Sequence, residues 1–202
     1  MELIEGIETR CSIRAFENTP VPDETLTQIL KAAGNSPSYI NTQPWEVAVV
    51  RGEKKDELSE IIYNLASKNT GGQPDIPRPT GWPEAHGSRL ADHGARRLAT
   101  IGVARDDEEG REKLRLQNFE FYGAPCAVFL FMDGALNEWS IFDMGLFAQN
   151  LILAAHALDV GTCLQASVTE CAREIKTFLG IPESKKLVIC IAMGYPDKEA
   201  VV

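Results

Sequence analysis

Arg10-Cys11-Ser12-Ile13-Arg14 sets two guanidiniums and a hydroxyl at alternate positions. In an extended chain a period of two sends all three to the same side. Guanidinium forks match phosphate oxygens in pairs, and a serine hydroxyl can complete such a cradle. On spacing alone two arginines near a terminus are more often a solvated surface, and an anion site is the alternative. A second cluster, Ser36-Pro37-Ser38-Tyr39-Ile40-Asn41-Thr42-Gln43-Pro44-Trp45, is turn-rich and dense in amides and hydroxyls. It can read the donor and acceptor edge of a planar heterocycle. More simply, it is a helix-to-strand turn in which Asn41 and Gln43 satisfy their own backbone. A third group runs from Trp139-Ser140-Ile141-Phe142-Asp143-Met144-Gly145 through Gln149-Asn150-Leu151 to Gly161-Thr162-Cys163-Leu164-Gln165-Ala166. Asp143 or Asn150 in so apolar a helix needs a partner, because an unpaired buried polar group costs about 1–3 kcal/mol. That helix reads as structural core, whereas the backbone after Gly161 can approach a ligand.

The elements that carry these residues follow from hydrophobic spacing and helix punctuation. Residues 2–9 form a first helix and 22–34 a second, with Pro22, Asp23 and Glu24 at its positive start and Gly34 past its end. Leu26, Ile29, Leu30 and Ala33 fall on one face of that second helix. A valine-rich strand over 45–50 and an exposed helix over 53–68 come next. Glycines and prolines then break the pattern over 69–83, a loop long enough to be functional, mobile or an arm towards a partner. Helices are expected over 83–103 and 107–122. The runs 126–132 and 187–193 are continuously apolar, as strands covered on both faces are. Between them 139–158 has helix length and is apolar around most of its circumference, so it must be buried on several sides, within the subunit or against a second one. A short strand over 160–164 and a helix over 169–179, closed by Gly180, complete an α+β pattern without strict βαβ alternation.

At 202 residues and 44% hydrophobic, the chain can bury one substantial core, so 1–202 reads as a single domain with an excursion near 69–122. A net charge of −9 argues against nucleic acid and against an anionic membrane surface. The longest apolar stretch, 151–158, contains His156 and is too short for a bilayer. Five scattered cysteines without CxxC spacing argue against a disulfide framework or zinc and fit a reducing cytoplasm. Three dispersed histidines suggest no metal cluster. The chain carries neither GxGxxG after a strand, nor GxxxxGK[ST], nor GxSxG, so the common nucleotide-binding and hydrolase templates fail.

Arg-x-Ser-x-Arg near the start, Asn-Thr-Gln-Pro-Trp some thirty residues later, Asp-x-Gly-x-x-x-Gln-Asn-Leu, Gly-Thr-Cys and the late Gly194-Tyr195-Pro196 occur in the order seen in FMN-dependent nitroreductases. The segment from Asn118 to Pro125 also resembles that family's approach to its core strand, and the motifs span almost the whole chain. The resemblance implies a three-layer α/β/α sandwich, extensively swapped into a homodimer, with two FMN sites at the interface. By position, Arg10 and Ser12 would hold the FMN phosphate and ribityl end. Arg14 would lie near the N1/O2 edge of the ring, where a fixed cation stabilises the charge gathered on reduction. Pro37, Ser38, Asn41 and Gln43 belong to the loop that would approach the flavin from the other subunit. The backbone of Leu164, Gln165 and Ala166 would face the ring, with one amide bonded to its reactive nitrogen. Tyr39, Phe121 and Tyr122 are candidates for the substrate pocket, although aromatics of this kind also serve as core. Three features depart from the pattern. Cys11 stands where relatives often carry a basic residue, Tyr39 where a small one is common, and only Lys198 offers a cation after the Gly-Tyr-Pro turn.

The chemistry implied is ping-pong turnover. NAD(P)H reduces FMN and leaves, and a nitroaromatic or quinone takes its place. No side chain is an obvious acid, so the catalytic chemistry sits on the cofactor. The competing readings are a flavin reductase for another acceptor, such as an enone or a halogenated aromatic, and an FMN-binding protein without turnover.

Overall fold

A computed structural model describes residues 1–200. Four strands, β1 (Glu46–Arg51), β2 (Cys126–Asp133), β3 (Gly161–Gln165) and β4 (Lys185–Gly194), form one sheet in the order β1-β2-β4-β3. Every neighbouring pair is antiparallel. The alternation of side chains along β2 divides the core. Ala127, Phe129 and Phe131 join Leu58 and Ile62 of α3 (Glu53–Ser67) and Ile175 of α7 (Ala172–Leu179). Cys126, Val128, Leu130 and Met132 instead join Leu26 and Ile29 of α2 (Asp23–Ala33) and Met144, Phe147 and Leu151 of α6 (Glu138–Ala157). The sheet is thus packed on both faces, which is why β2 reads as an unbroken apolar run although its neighbours are antiparallel.

The helix punctuation behaves as the sequence predicts at α2, which begins after Pro22 with Asp23 and Glu24 in its first turn. A short helix, α1 (Leu3–Thr9), precedes it, and α4 (Glu84–Thr100) and α5 (Glu108–Leu116) follow α3. The expected single helix over 107–122 stops at Leu116 and gives way to a 3₁₀ turn at Phe121–Gly123. Left-handed backbone at Phe121 and Tyr122 (φ 52° and 55°) swings Phe121 inward, where it meets Phe129 edge-on at 6.0 Å. The helix expected over 169–179 likewise starts as a 3₁₀ turn, Ser167–Cys171, before α7. No residue of α4 or α5 is buried. Among the described residues no helix is long and apolar enough to cross a membrane.

The glycine- and proline-rich loop over 69–83 is tied down at Asp75. Its Oδ2 accepts the Leu187 N–H at 2.8 Å, and its Oδ1 faces the Lys176 Nζ at 3.2 Å. Lys176 is only 3% exposed and also donates to the Lys185 carbonyl at 3.2 Å; its other carboxylate, Glu183 at 3.3 Å, lies in the open. A buried ammonium deprived of its inner partner is strongly destabilising. Asp75→Ala should therefore cost about 3 kcal/mol in chemical denaturation, and adding Lys176→Met should recover most of that loss.

Candidate functional site

The N-terminal segment lies along the open edge of β3. The Ile13 N–H donates to the Thr162 carbonyl at 3.0 Å, and Ser12 pairs with Thr162 in a parallel bridge. Further on, the Glu17 N–H bonds the Tyr195 carbonyl at 2.9 Å, and the Asp197 N–H bonds the Ala15 carbonyl at 3.1 Å. The segment is therefore stitched both to β3 and to the Gly194-Tyr195-Pro196 turn. This approach requires Gly161, because a Cβ there would stand 2.8 Å from Ile13 Cγ1 and 3.0 Å from Pro196 Cγ. A cleft of about 640 Å³ beside the segment is lined by Arg10, Cys11, His156, Thr162 and Lys198, among others.

Arg10, Ser12 and Arg14 are half-buried. Their field is felt at Cys163: burial pushes that thiol up, while the guanidiniums of Arg14, Arg97 and Arg10 and the Ser12 hydroxyl pull it part of the way back. The cations that pair with carboxylates among the described residues are Arg51, Lys55, Arg78, Arg96, Arg115, Arg173, Lys176 and Lys185. Arg10, Arg14 and Arg97 are not among them. Three unneutralised guanidiniums around one strand make a site for an anion. Sequence reading misses Arg97, because Arg96 and Arg97 look alike on an exposed helix. In the fold Arg96 pairs with Asp92 at 2.6 Å, and Arg97 turns inward.

At the far end of β3 the side chains alternate. Leu164 and Ala166 are exposed and Gln165 is 1% exposed. The Gln165 amide donates to the Asn118 carbonyl at 2.8 Å, and its Oε1 lies 3.8 Å from the Cys190 thiol. That side chain anchors the strand end, with Leu164 and Ala166 exposed on either side of it.

The loop over 36–45 sits on α6. The Asp143 carboxylate accepts the Tyr39 N–H at 3.1 Å, and Asn150 Nδ2 donates to Ser36 Oγ at 2.8 Å, so buried Asp143 and half-buried Asn150 both have partners. Within the loop, the Gln43 N–H bonds Ser38 Oγ at 3.0 Å and Gln43 Nε2 bonds Asn41 Oδ1 at 2.9 Å. Ile40, Asn41 and Gln43 all have positive φ, of 45°, 58° and 46°. A β-branched residue at positive φ is strained, and such strain clusters at ligand sites. Among the described residues no hydrogen bond joins this loop to the Arg10–Arg14 segment or to Leu164–Ala166 of the same chain.

Residues 7–195 match the Nitroreductase family. The chain belongs to that family. It is 36% identical to nitroreductase NfnB of Mycolicibacterium smegmatis over 97% of its own length and 83% of the relative's. With the 4-nitrobenzoate reductase of Pseudomonas putida the identity is 31%, over 97% and 86%. Its fold superposes on the crystal structure of the FMN-dependent nitroreductase NfnB from Mycobacterium smegmatis in complex with NADPH with a TM-score of 0.94, at 34% identity, covering 98% of this chain and 89% of that one.

Within this nitroreductase-family chain two pocket candidates lie in the core. Phe121 is 0% exposed and Tyr122 8%, both in the core with Phe129, and the Tyr122 hydroxyl is bonded to Asn118 Oδ1 at 2.9 Å. They face the interior of this chain. Tyr39 remains 60% exposed and stacks on Trp139 at 5.9 Å.

The cysteines divide by burial. Desolvation pushes Cys126 and Cys171 up to about 12 and Cys190 well above its ordinary value, whereas Cys11 is exposed. Iodoacetamide at neutral pH should therefore label Cys11 alone in the folded protein, as read by peptide mass spectrometry. Because a raised thiol keeps its proton in the folded state, the stability it contributes is full below the unfolded value and is lost as pH rises. Chemical denaturation should accordingly show stability falling between about pH 9 and 12.

Proposed function

We propose that this chain is an FMN-dependent oxidoreductase that uses NAD(P)H to reduce nitroaromatic or quinone acceptors, working as a domain-swapped homodimer of three-layer α/β/α subunits. The observation that carries this reading is the set of three unneutralised guanidiniums and a serine hydroxyl along β3, next to the exposed residues Leu164 and Ala166. These residues fit a ligand with a phosphate at one end and a flat ring at the other. The names of the relatives, a nitroreductase and a 4-nitrobenzoate reductase, support the acceptor class.

When bound, FMN supplies reversible two-electron transfer between nicotinamide and acceptor. Arg10 and Ser12 hold the phosphate and ribityl end through charge-assisted bonds. Arg14 places a fixed cation at the pyrimidine edge, where it stabilises negative charge on reduction. The backbone of Leu164, Gln165 and Ala166 supports the ring. Pro37, Ser38, Asn41 and Gln43 of the partner subunit close the site from the other side, and the partner's Tyr39 stands at the acceptor position. A single site visited in turn by NAD(P)H and acceptor would give ping-pong order and would need no dinucleotide fingerprint.

The dimer is supported by apolar surface that one chain leaves bare. Leu3, Ile4 and Ile7 of α1 are 70%, 65% and 49% exposed, Ile40 82%, and Trp139 and Phe142 of α6 64% and 62%. Such surface marks an interface. The unburied helices α4 and α5 form the excursion that reaches the partner. The two cores on either face of the sheet support the three-layer arrangement. Five unpaired cysteines suit a reducing cytoplasm.

The test is an absorption spectrum of the FMN-loaded protein under anaerobic NADPH. Flavin bands should bleach and return on adding 4-nitrobenzoate. Bands that persist under NADPH would instead mark an FMN-binding protein without turnover. Arg14→Ala should weaken FMN binding or slow its reduction by about tenfold, the worth of one charge-assisted bond, while Cys11→Ala leaves both unchanged. Equal loss of flavin from the two variants would overturn the assignment of this segment.

A further inference from the structure

Arg78 and Glu170 form an ion pair at 2.6 Å whose side chains are 43% and 33% exposed. Pairs so open to water add only about 0–1 kcal/mol to a fold, so stability is a poor account of the contact. The guanidinium does more than pair. While Nη1 donates to Glu170 Oε1, Nη2 donates to the carbonyl of Ala166 at 2.8 Å. Ala166 ends the Leu164–Ala166 segment, and its carbonyl also accepts the Thr169 hydroxyl at 2.7 Å and the Thr169 N–H at 3.1 Å. From below, the Gln165 side chain holds the same segment to the Asn118 carbonyl.

The reach of Arg78 is fixed by its own loop. Three residues earlier Asp75 is bonded to the Leu187 N–H and faces the Lys176 ammonium. Pro77 and Pro79 flank Arg78 and restrict the backbone on either side. A loop without secondary structure thus delivers one planar, forked donor to one peptide carbonyl.

We propose that Arg78 is a positioning residue for the bound flavin: its grip on the Ala166 carbonyl fixes the plane of the Ala166–Ser167 peptide and the direction in which the neighbouring amides face the ring. The inference rests on the reading that FMN lies against Leu164–Ala166. A cation on the Ala166 oxygen also polarises its peptide and strengthens the N–H at the other end, that of Ser167, which follows the segment directly. Both effects favour the reduced ring, which carries more negative charge than the oxidised one. Arg78 does this without touching cofactor or substrate.

The experiment compares the reduction potential of bound FMN, and the rate constant of its reduction by NADPH, in wild type and three variants. Arg78→Ala should melt close to wild type and retain FMN, yet show a more negative potential and reduction slower by roughly tenfold, the loss of one charge-assisted bond. Arg78→Lys should recover part of the rate, since an ammonium keeps the charge but lacks the fork that spans carboxylate and carbonyl. The double variant Arg78→Ala/Glu170→Gln should stay slow, because removing the stray carboxylate does not restore the grip on Ala166. A double variant that returns to wild type would overturn the proposal, leaving only a charge effect from Glu170. Unchanged potential and rate in Arg78→Ala would overturn it as well. Should Arg78→Ala fail to fold, Arg78→Lys carries the comparison, and wild-type values in that variant would be the contrary result. Wild-type protein that takes up no FMN would defeat the FMN reading itself, and this inference with it.

Discussion

The architecture around the site depends on the close approach of the N-terminal segment to β3, which only glycine at position 161 permits. A methyl group there would run into Ile13 and Pro196. With it absent, the Ile13 N–H reaches the Thr162 carbonyl, and the alternation of an extended chain holds Arg10, Ser12 and Arg14 beside the strand that ends at Leu164–Ala166. The second anchorage, at the Gly194-Tyr195-Pro196 turn, keeps the segment from peeling off an otherwise open sheet edge. An edge strand with unpaired amides invites aggregation. Here the edge is used to carry the charged residues.

Electrostatics gives the site its selectivity. The chain bears a net charge of −9, and eight of its 20 lysines and arginines pair with carboxylates among the described residues. Arg10, Arg14 and Arg97 stand apart from that compensation, so a local positive potential survives in an acidic protein. The unpaired set is costly in an empty site, where like charges repel, and favourable once a phosphate lies among them. Proteins keep such arrangements for ligands rather than for stability.

Much of this was legible in the sequence, for reasons specific to each element. The edges of α2 could be read because proline, acid and glycine act through local backbone chemistry. β2 and the buried core of α6 could be read because their apolar runs have no exposed interpretation. Asp143 and Asn150 had to have partners, and the strained loop over 36–43 supplies them. Phe121 and Tyr122 could not be placed from their type, since a pocket wall and a core aromatic look alike until a left-handed turn directs one inward. Arg97 and Arg78 lay beyond reach for a different reason. Each depends on which face of a helix or loop meets a segment far away in sequence, and no local pattern distinguishes Arg97 from Arg96.

On our proposal the anion cradle on β3 and the polar loop on α6 make one flavin site only when two chains combine. Native mass spectrometry of the FMN-loaded protein tests it directly, from a chain mass of 22.2 kDa. The account predicts a dimer carrying two FMN molecules, with flavin lost whenever the dimer separates. A monomer that retains FMN, or a dimer that binds none, would contradict it.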